Sequence, residues 1–160
     1  MDNPKRLTRE QMVLVADRLR SENKTIVVTN GCFDILHVGH VTYLAEAALQ
    51  GDILIVGLNS DRSVQGIKGP LRPVIQEDHR ARVLSALACV DYVVLFHEPD
   101  PGALIRAVKP HVLVKGADWE EKDIIGADVV KANGGRVARI AMEPGISTSL
   151  IIERILRIHG

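Results

Sequence analysis

Residues 25–40 read TIVVTNGCFDILHVGH and join an apolar run to a turn that carries two histidines. The apolar part, residues 25–30, has the length and the β-branched content of a buried strand. His37 and His40 follow it with Gly39 between them, where the pattern predicts the start of a helix. Glycine lets a ligand approach the backbone, and the first N–H groups of a helix favour anions. The stretch therefore predicts an anion site, and the anion that suits it best is a polyphosphate.

Length and composition narrow the class of protein. The chain has 160 residues, of which 46% are hydrophobic, and its 20 acidic side chains balance 20 basic ones. That length suits one domain over residues 1–160, with an N-terminal helical extension over residues 1–22. Zero net charge argues against attachment to nucleic acid or to an anionic membrane by bulk charge. No apolar run approaches the roughly 20 residues that span a bilayer.

Two further features favour a cytoplasmic protein. The charged N-terminus lacks the apolar centre of a signal peptide. Cys32 and Cys89 lie far apart in the sequence and form no zinc or redox pattern, so we expect two reduced thiols.

The rest of the chain alternates predicted strands and helices. Apolar runs predict five strands, at residues 25–30, 52–58, 91–96, 111–115 and 136–141. Capping signals and helical spacing predict helices at residues 8–20, 40–50, 76–88, 101–108, 122–133 and 146–159, whereas residues 59–73 read as mostly irregular. Four of the strands are apolar on both faces, as strands of a covered parallel sheet are. The prediction is an α/β fold with a five-stranded parallel sheet and helices on both faces.

In such a sheet, ligands bind at the carboxyl ends of the strands, where the strand order reverses. Four segments follow predicted strands and so share that edge: residues 31–40, 59–72, 115–119 and 145–149. These segments also hold the unusual residues of the chain, including its only tryptophan, Trp119. We therefore expect one site built from all four.

Several of these features have a structural interpretation beside the functional one. The segment with Lys68 is either a solvated turn or a flexible loop that closes over phosphate. Residues 145–149 either only cap the last helix or form a second phosphate cradle. Trp119 either caps the core or lines a pocket for a sugar or a base. A metal site at the two histidines is the weaker alternative, since no Cys, Asp or Glu lies at helical spacing from them, although Asp34 could contact magnesium through water.

These motifs together resemble those of the HxGH nucleotidyltransferases. The likeness rests on residues 31–40, 59–61, 68–69, 114–116 and 145–149, and it extends over nearly the whole chain. Within that superfamily, the sequence is most similar to the adenylyltransferases of bacterial heptose biosynthesis. The resemblance implies a Rossmann-like fold and transfer of AMP from ATP to D-glycero-β-D-manno-heptose 1-phosphate, with release of pyrophosphate. It also implies Mg²⁺ carried by the nucleotide phosphates, with no protein ligand assigned to the metal.

The resemblance further implies roles for individual residues. His37, His40 and Lys68 would be catalytic and would stabilise the transition state and the departing pyrophosphate. Nucleotide binding would fall to Asn30, Gly31, Cys32, Phe33, Gly39, Lys115, Gly116, Gly145, Ser147, Thr148 and Ser149. Substrate binding would fall to Asp34, Asp61, Arg72, Asp118 and Trp119. For three acidic or basic residues the alternatives stay open: Arg80 and Asp91 either have a role at the site or form a structural ion pair, and Asp61 either binds substrate or caps a helix.

The identity of the nucleotide base and the partners of the protein follow less directly from the sequence. Related cytidylyltransferases carry arginine where this chain has Met142, which favours a purine, and adenine over guanine follows only from the resemblance. The alternatives are a guanylyl- or cytidylyltransferase that acts on another sugar or polyol phosphate, and a nucleotide-binding module without catalysis. A nicotinamide oxidoreductase is disfavoured, because no Gly-x-Gly-x-x-Gly follows the first strand. We expect a homodimer, with the sugar-kinase step on a separate chain.

Overall fold

The computed structural model describes residues 3–160, so the first two residues of the predicted N-terminal extension lie outside it. Within this range one sheet contains six parallel strands: β1 Arg6–Leu7, β2 Ile26–Gly31, β3 Ile53–Asn59, β4 Tyr92–Phe96, β5 Val112–Gly116 and β6 Arg136–Ile140. The helices are α1 Arg9–Ser21, α2 Val38–Ala48, α3 Asp61–Lys68, α4 Glu77–Ser85, α5 Gly102–Val108, α6 Ala127–Ala132 and α7 Thr148–His159, with a 3₁₀ turn at Glu121–Asp123.

The strand order is β1-β4-β3-β2-β5-β6. After the central strand β2, the chain adds β3 and β4 on one side of it and then β5 and β6 on the other. The order therefore reverses between β2 and β5, and the crevice at their carboxyl ends is where a ligand is expected. Two apolar clusters cover the sheet. One packs α1, α5 and α6 on the face that carries Val28, and the other packs α2 and α4 on the face that carries Val27. The predicted α/β fold with helices on both faces is confirmed.

The predicted strands each lie within one residue of the observed ones, but the sheet has six strands rather than five. The additional strand, β1, is only two residues long and pairs with Val93 and Val94 of β4. A pattern of alternating or continuous apolar residues cannot be read from two residues, which is why the sequence did not predict it.

Two helix predictions were wrong in detail. Residues 59–73 are not mostly irregular, because α3 begins at Asp61 with Ser60 as its N-cap, whose hydroxyl accepts from the N–H of Ser63. Gly66 and the polar character of α3 hid it from the sequence pattern. The helix predicted over residues 122–133 is broken by Gly126, which has a φ of 90° and separates the 3₁₀ turn from α6.

Arg80 fastens the loops after β2 and β3 to α4. Its side chain is 1% exposed, and its guanidinium donates to the carbonyls of Ile75, Cys32 and Asn59 at 2.5–2.9 Å. The same group pairs with the carboxylate of Asp61 at 2.6 Å. Since a buried guanidinium is tolerated only when its donors are satisfied, this arrangement fixes the loops that border the crevice.

The predicted ion pair between Arg80 and Asp91 is therefore wrong. Asp91 instead accepts a hydrogen bond from the backbone N–H of Leu54 at 2.8 Å and so joins the starts of β3 and β4. Asp61 is the first residue of α3 rather than its cap, and its carboxylate is held by Arg80.

We expect Arg80→Met to lower the free energy of unfolding by about 3 kcal/mol, because it leaves three buried carbonyls and one carboxylate without their donor. Arg82→Met is the matched control, since Arg82 lies exposed on the same helix, and its effect should stay within about 0.5 kcal/mol. Urea unfolding of both variants checks this. Equal effects would contradict the role given to Arg80.

Candidate active site

Two helix starts meet at Gly39. Helix α2 begins after His37, and α7 begins after Ser147, whose hydroxyl accepts from the N–H of Leu150 at 3.2 Å. A Cβ at Gly39 would lie 3.3 Å from the side chain of Ile146 and 3.1 Å from the His37 ring. The missing side chain thus lets the loop before α7 pack on the first turn of α2. Both positive helix ends, the histidine pair and the hydroxyls therefore lie at one edge of the sheet.

The two imidazoles are stacked, with ring centroids 3.8 Å apart and an interplanar angle of 21°. The Nδ1 atoms of both His37 and His40 are buried and have no hydrogen-bond partner among residues 3–160. Burial lowers the pKa of His37, and burial with the nearby His37 and Lys68 charges lowers the pKa of His40 to about 4. Both rings are therefore neutral at pH 7. Buried polar atoms without partners are rare, so these two indicate a ligand site.

Lys68 is the last residue of α3, so it stands on a helix end and not on the flexible loop that the sequence suggested. Gly69 follows with a φ of 92° and ends the helix. The Lys68 ammonium lies close enough to lower the pKa of His40, and it opposes the rise that burial causes in the pKa of Cys32. The structure thus brings the predicted catalytic lysine to the histidine pair.

Asp34 and Arg72 form a buried ion pair at 2.7 Å. The Asp34 carboxylate also accepts from the N–H groups of Val74 and Ile75, and only 4% of the residue is exposed. Burial would raise the pKa of Asp34, but the two N–H donors and Arg72 hold it below its usual range. The pair fastens the segment after α3 to the loop after β2, so its groups are committed to the scaffold.

A cavity of about 410 Å³ opens at the carboxyl ends of β2, β3 and β5. It brings together predicted site residues from separate loops, namely Asn30, Gly31, Cys32, Phe33, His40, Lys115, Gly116, Asp118 and Trp119. The sequence analysis gave no individual binding role to the remaining lining residues, although Asn59 and Ile67 lie in a segment that it placed at the site and Met142 bore on the choice of base: Tyr43, Asn59, Ile67, Pro99, Asp100, Pro101, Ile124, Ile125 and Met142. Residues 99–101 follow β4, so their position after a strand was the signal that could have found them. The other predicted site residues do not line this cavity: Asp34, His37, Gly39, Asp61, Lys68, Arg72, Gly145, Ser147, Thr148 and Ser149.

Trp119 lines the cavity and is 48% exposed, which decides between its two interpretations in favour of a pocket wall. The ammonium of Lys115 lies 5.8 Å from the centre of the indole and donates a hydrogen bond to the side-chain oxygen of Asn30. Burial lowers the pKa of Lys115 to about 8, against the opposing effect of Asp118.

No three His, Cys, Asp or Glu side chains within residues 3–160 lie together in a way that could hold a metal ion. No helix in that range is both long enough and apolar enough to cross a membrane.

Residues 28–154, from β2 into α7, match the family model described as cytidylyltransferase-like. The chain belongs to the cytidylyltransferase-like family. The resemblance to nucleotidyltransferases read from the motifs is thereby confirmed. The matched span contains the histidine pair, all strands that border the cavity and the start of α7.

Curated relatives include the bifunctional protein HldE of Syntrophotalea carbinolica, which is 51% identical over 92% of this chain, and that of Pseudomonas entomophila, which is 52% identical over 93%. The chain spans about 30% of the length of these relatives. Among solved structures, a lipopolysaccharide core biosynthesis protein from Thermoplasma volcanium has a TM-score of 0.64 and 31% identity, covering 75% of this chain and 98% of its own. A pantoate-beta-alanine ligase from Francisella tularensis, at 15% identity, a TM-score of 0.62 and coverage of 94% and 76%, shares the fold.

Gly39→Ala should weaken binding of inorganic triphosphate about tenfold or more, because the new methyl group pushes the His37 ring and Ile146 apart. Gly66→Ala is the matched control, since a Cβ there meets nothing within 4 Å and the residue lies in α3. That control should bind triphosphate as the wild type does and gain up to about 1 kcal/mol of stability. Titration calorimetry measures the affinities, and equal binding by both variants would contradict the contact between the helix starts.

The buried His40 should make stability depend on pH. Its pKa in the folded protein, about 4, lies below the unfolded value of about 6.5. The stability that the neutral ring contributes is therefore fully present above about pH 6.5 and is lost as the pH falls towards about 4. We expect the difference in unfolding free energy between the wild type and His40→Gln to shrink over that range. Urea unfolding at several pH values measures it, and a constant difference would contradict the burial of a neutral ring.

Proposed function

We propose that this chain transfers AMP from ATP to D-glycero-β-D-manno-heptose 1-phosphate, giving ADP-heptose and pyrophosphate. The observation that carries the proposal is the meeting of two helix starts and a neutral imidazole pair at Gly39, beside a cavity that is large enough for a second substrate. Roughly 50% identity to HldE proteins over most of the chain, and the likeness to a lipopolysaccharide core biosynthesis protein, support heptose as the sugar.

The triphosphate would bind at the two helix ends. The first N–H groups of α2 and α7 have no partner within their own helices, and both dipoles are positive there. His37 and His40 each keep one ring N–H as neutral imidazoles, and an N–H on their unpartnered nitrogens would donate to the same anion. Lys68 adds a full positive charge from the end of α3. This combination binds a polyphosphate without any net charge on the chain.

The reaction needs alignment more than acid–base chemistry. An oxygen of the sugar phosphate, already an anion, attacks the α-phosphorus of ATP and forms the new P–O bond. The bond from that phosphorus to the bridging oxygen of the β-phosphate breaks, and pyrophosphate leaves with the electron pair. His37, His40 and Lys68 would stabilise the charge that moves onto the transferred phosphoryl group and the leaving group, which is where preorganised donors accelerate such reactions.

Magnesium would enter with the nucleotide. The carboxylate nearest to the histidine loop, Asp34, is already bound to Arg72 and to two backbone N–H groups. The donor set of the site thus fits a substrate that brings its own Mg²⁺ as the ATP complex better than it fits a metal resident on the protein. The neutral Met142 side chain in the cavity lining supports a purine base over cytosine.

We further propose that a kinase activity outside these 160 residues makes the sugar phosphate, and that the chain works as a homodimer in the cytoplasm. The bifunctional relatives, of which this chain spans about 30%, support a partner activity. The exposed apolar side chains of α7, Ile155, Leu156 and Ile158, support a second copy as their cover.

Incubation with ATP, Mg²⁺ and heptose 1-phosphate should release pyrophosphate, and His37→Ala and His40→Ala should each lower kcat by about 10²–10³. His79→Ala, on the exposed side of α4, is the matched control and should retain full turnover. Parallel assays with GTP, or with CTP and glycerol 3-phosphate, test the alternatives. Turnover only with those pairs would reassign the substrates, and binding of ATP without any turnover would indicate a non-catalytic module.

A further inference from the structure

Charged side chains form two separate groups in this region of the molecule. The first consists of Lys68, Arg72, Arg80 and Asp34, which act on Cys32 near the histidine loop. The second lies at the end of β5, where Asp118 acts on both Lys115 and Tyr43. Lys115 lies at the end of β5, whereas His40 lies in the first turn of α2. Lys115 therefore reaches the cavity from a different element than His40 does.

Lys115 is the only lysine or arginine that lines the cavity within residues 3–160. Its ammonium is largely desolvated, and its described polar partner is the neutral side chain of Asn30, with the Trp119 ring on another side. Asp118 acts on it through space but is not within ion-pair distance. A desolvated cation with mainly neutral neighbours favours an anionic ligand, because Coulomb attraction is strong where water is excluded.

A transferase of this kind must hold a second anion besides the triphosphate. The attacking phosphate has to reach the α-phosphorus without taking the donors at the two helix ends. From this placement, and resting on the proposed function, we infer that Lys115 binds the phosphate of the acceptor, the group that performs the attack. The carboxylate of Asp118, which also lines the cavity, would then accept hydrogen bonds from sugar hydroxyls.

The surroundings of Lys115 fit a sugar phosphate. Asn30 fixes the ammonium from the end of β2, and Trp119 and Pro99 offer apolar surface for the C–H face of a pyranose ring. Asp100 and Asp118 add carboxylate acceptors for hydroxyl groups and would repel a chain of nucleotide phosphates. This assignment differs from the nucleotide-binding role that the resemblance implied for Lys115.

Lys115→Met should raise KM for heptose 1-phosphate about ten- to a hundredfold and leave KM for ATP essentially unchanged, because one charge-assisted contact to the acceptor is lost. Lys122→Met is the matched control, since Lys122 is exposed on the neighbouring 3₁₀ turn and pairs with Glu120. Inorganic phosphate should compete with heptose 1-phosphate in the wild type and no longer do so in Lys115→Met.

The pH dependence of KM for the acceptor distinguishes a lysine that binds the acceptor from a lysine with only a structural role. Since the pKa of Lys115 is about 8, the wild-type KM for the acceptor should rise as the ammonium loses its proton above pH 8. Tyr43, whose pKa burial raises to about 12, stays neutral over that range, and Asp118 is the charged group that acts on Lys115. In Lys115→Arg the rise should disappear, because the guanidinium keeps its charge.

The outcomes separate the inference from the proposed function. An inactive wild type would refute the proposed function itself. An active wild type in which Lys115→Met raises KM for ATP alone would assign Lys115 to the nucleotide and overturn the inference, as would a variant with both KM values unchanged. Should Lys115→Met fail to fold, as judged by its thermal melting, the pH profiles of the wild type and Lys115→Arg decide the question.

Discussion

The contact between Gly39 and Ile146 is the constraint on which the site depends. Parallel strands place the starts of α2 and α7 at one edge of the sheet, but two helix ends approach closely only where no side chain intervenes. The single hydrogen of Gly39 provides that space. As a result, two positive helix ends and two imidazoles share one small volume, and an anion site arises in a chain whose net charge is zero.

The charged residues around this site divide into scaffold and ligand groups. Arg80 with Asp61, and Arg72 with Asp34, are paired at 2.6–2.7 Å and tie together the loops that follow β2, β3 and α3. Their burial and saturation with backbone hydrogen bonds leave them little to offer a ligand. The histidine pair differs from them, since its buried Nδ1 atoms have no partner, and Lys115 differs too, since it donates only to the neutral side chain of Asn30 and forms no ion pair within residues 3–160. That contrast identifies which polar groups the fold keeps for binding.

The sheet and the histidine loop could be predicted from the sequence, because both depend on local patterns of residues. Continuous β-branched runs located the main strands within a residue, and glycine between two histidines marked the ligand edge. The sequence could not predict the role of a charged residue where that role depends on which group the residue pairs with. Whether Asp34 and Asp61 face a ligand or an arginine depends on loops distant in sequence, and so does the wall formed by residues 99–101. The short β1 offers too few residues for a periodic signal, and Gly66 within α3 favoured an irregular segment over a helix.

The neutrality of the histidine pair follows from the same geometry and bears on how the site works. Two positive rings about 4 Å apart would repel each other by about 4 kcal/mol at the effective dielectric constant of a protein surface, in addition to the cost of desolvation. The free protein avoids both penalties by keeping the rings neutral. An anion bound beside them favours the protonated form and opposes this effect. The pair is thus a stable neutral donor in the free protein, and its positive charge grows only as negative charge collects between the two helix ends.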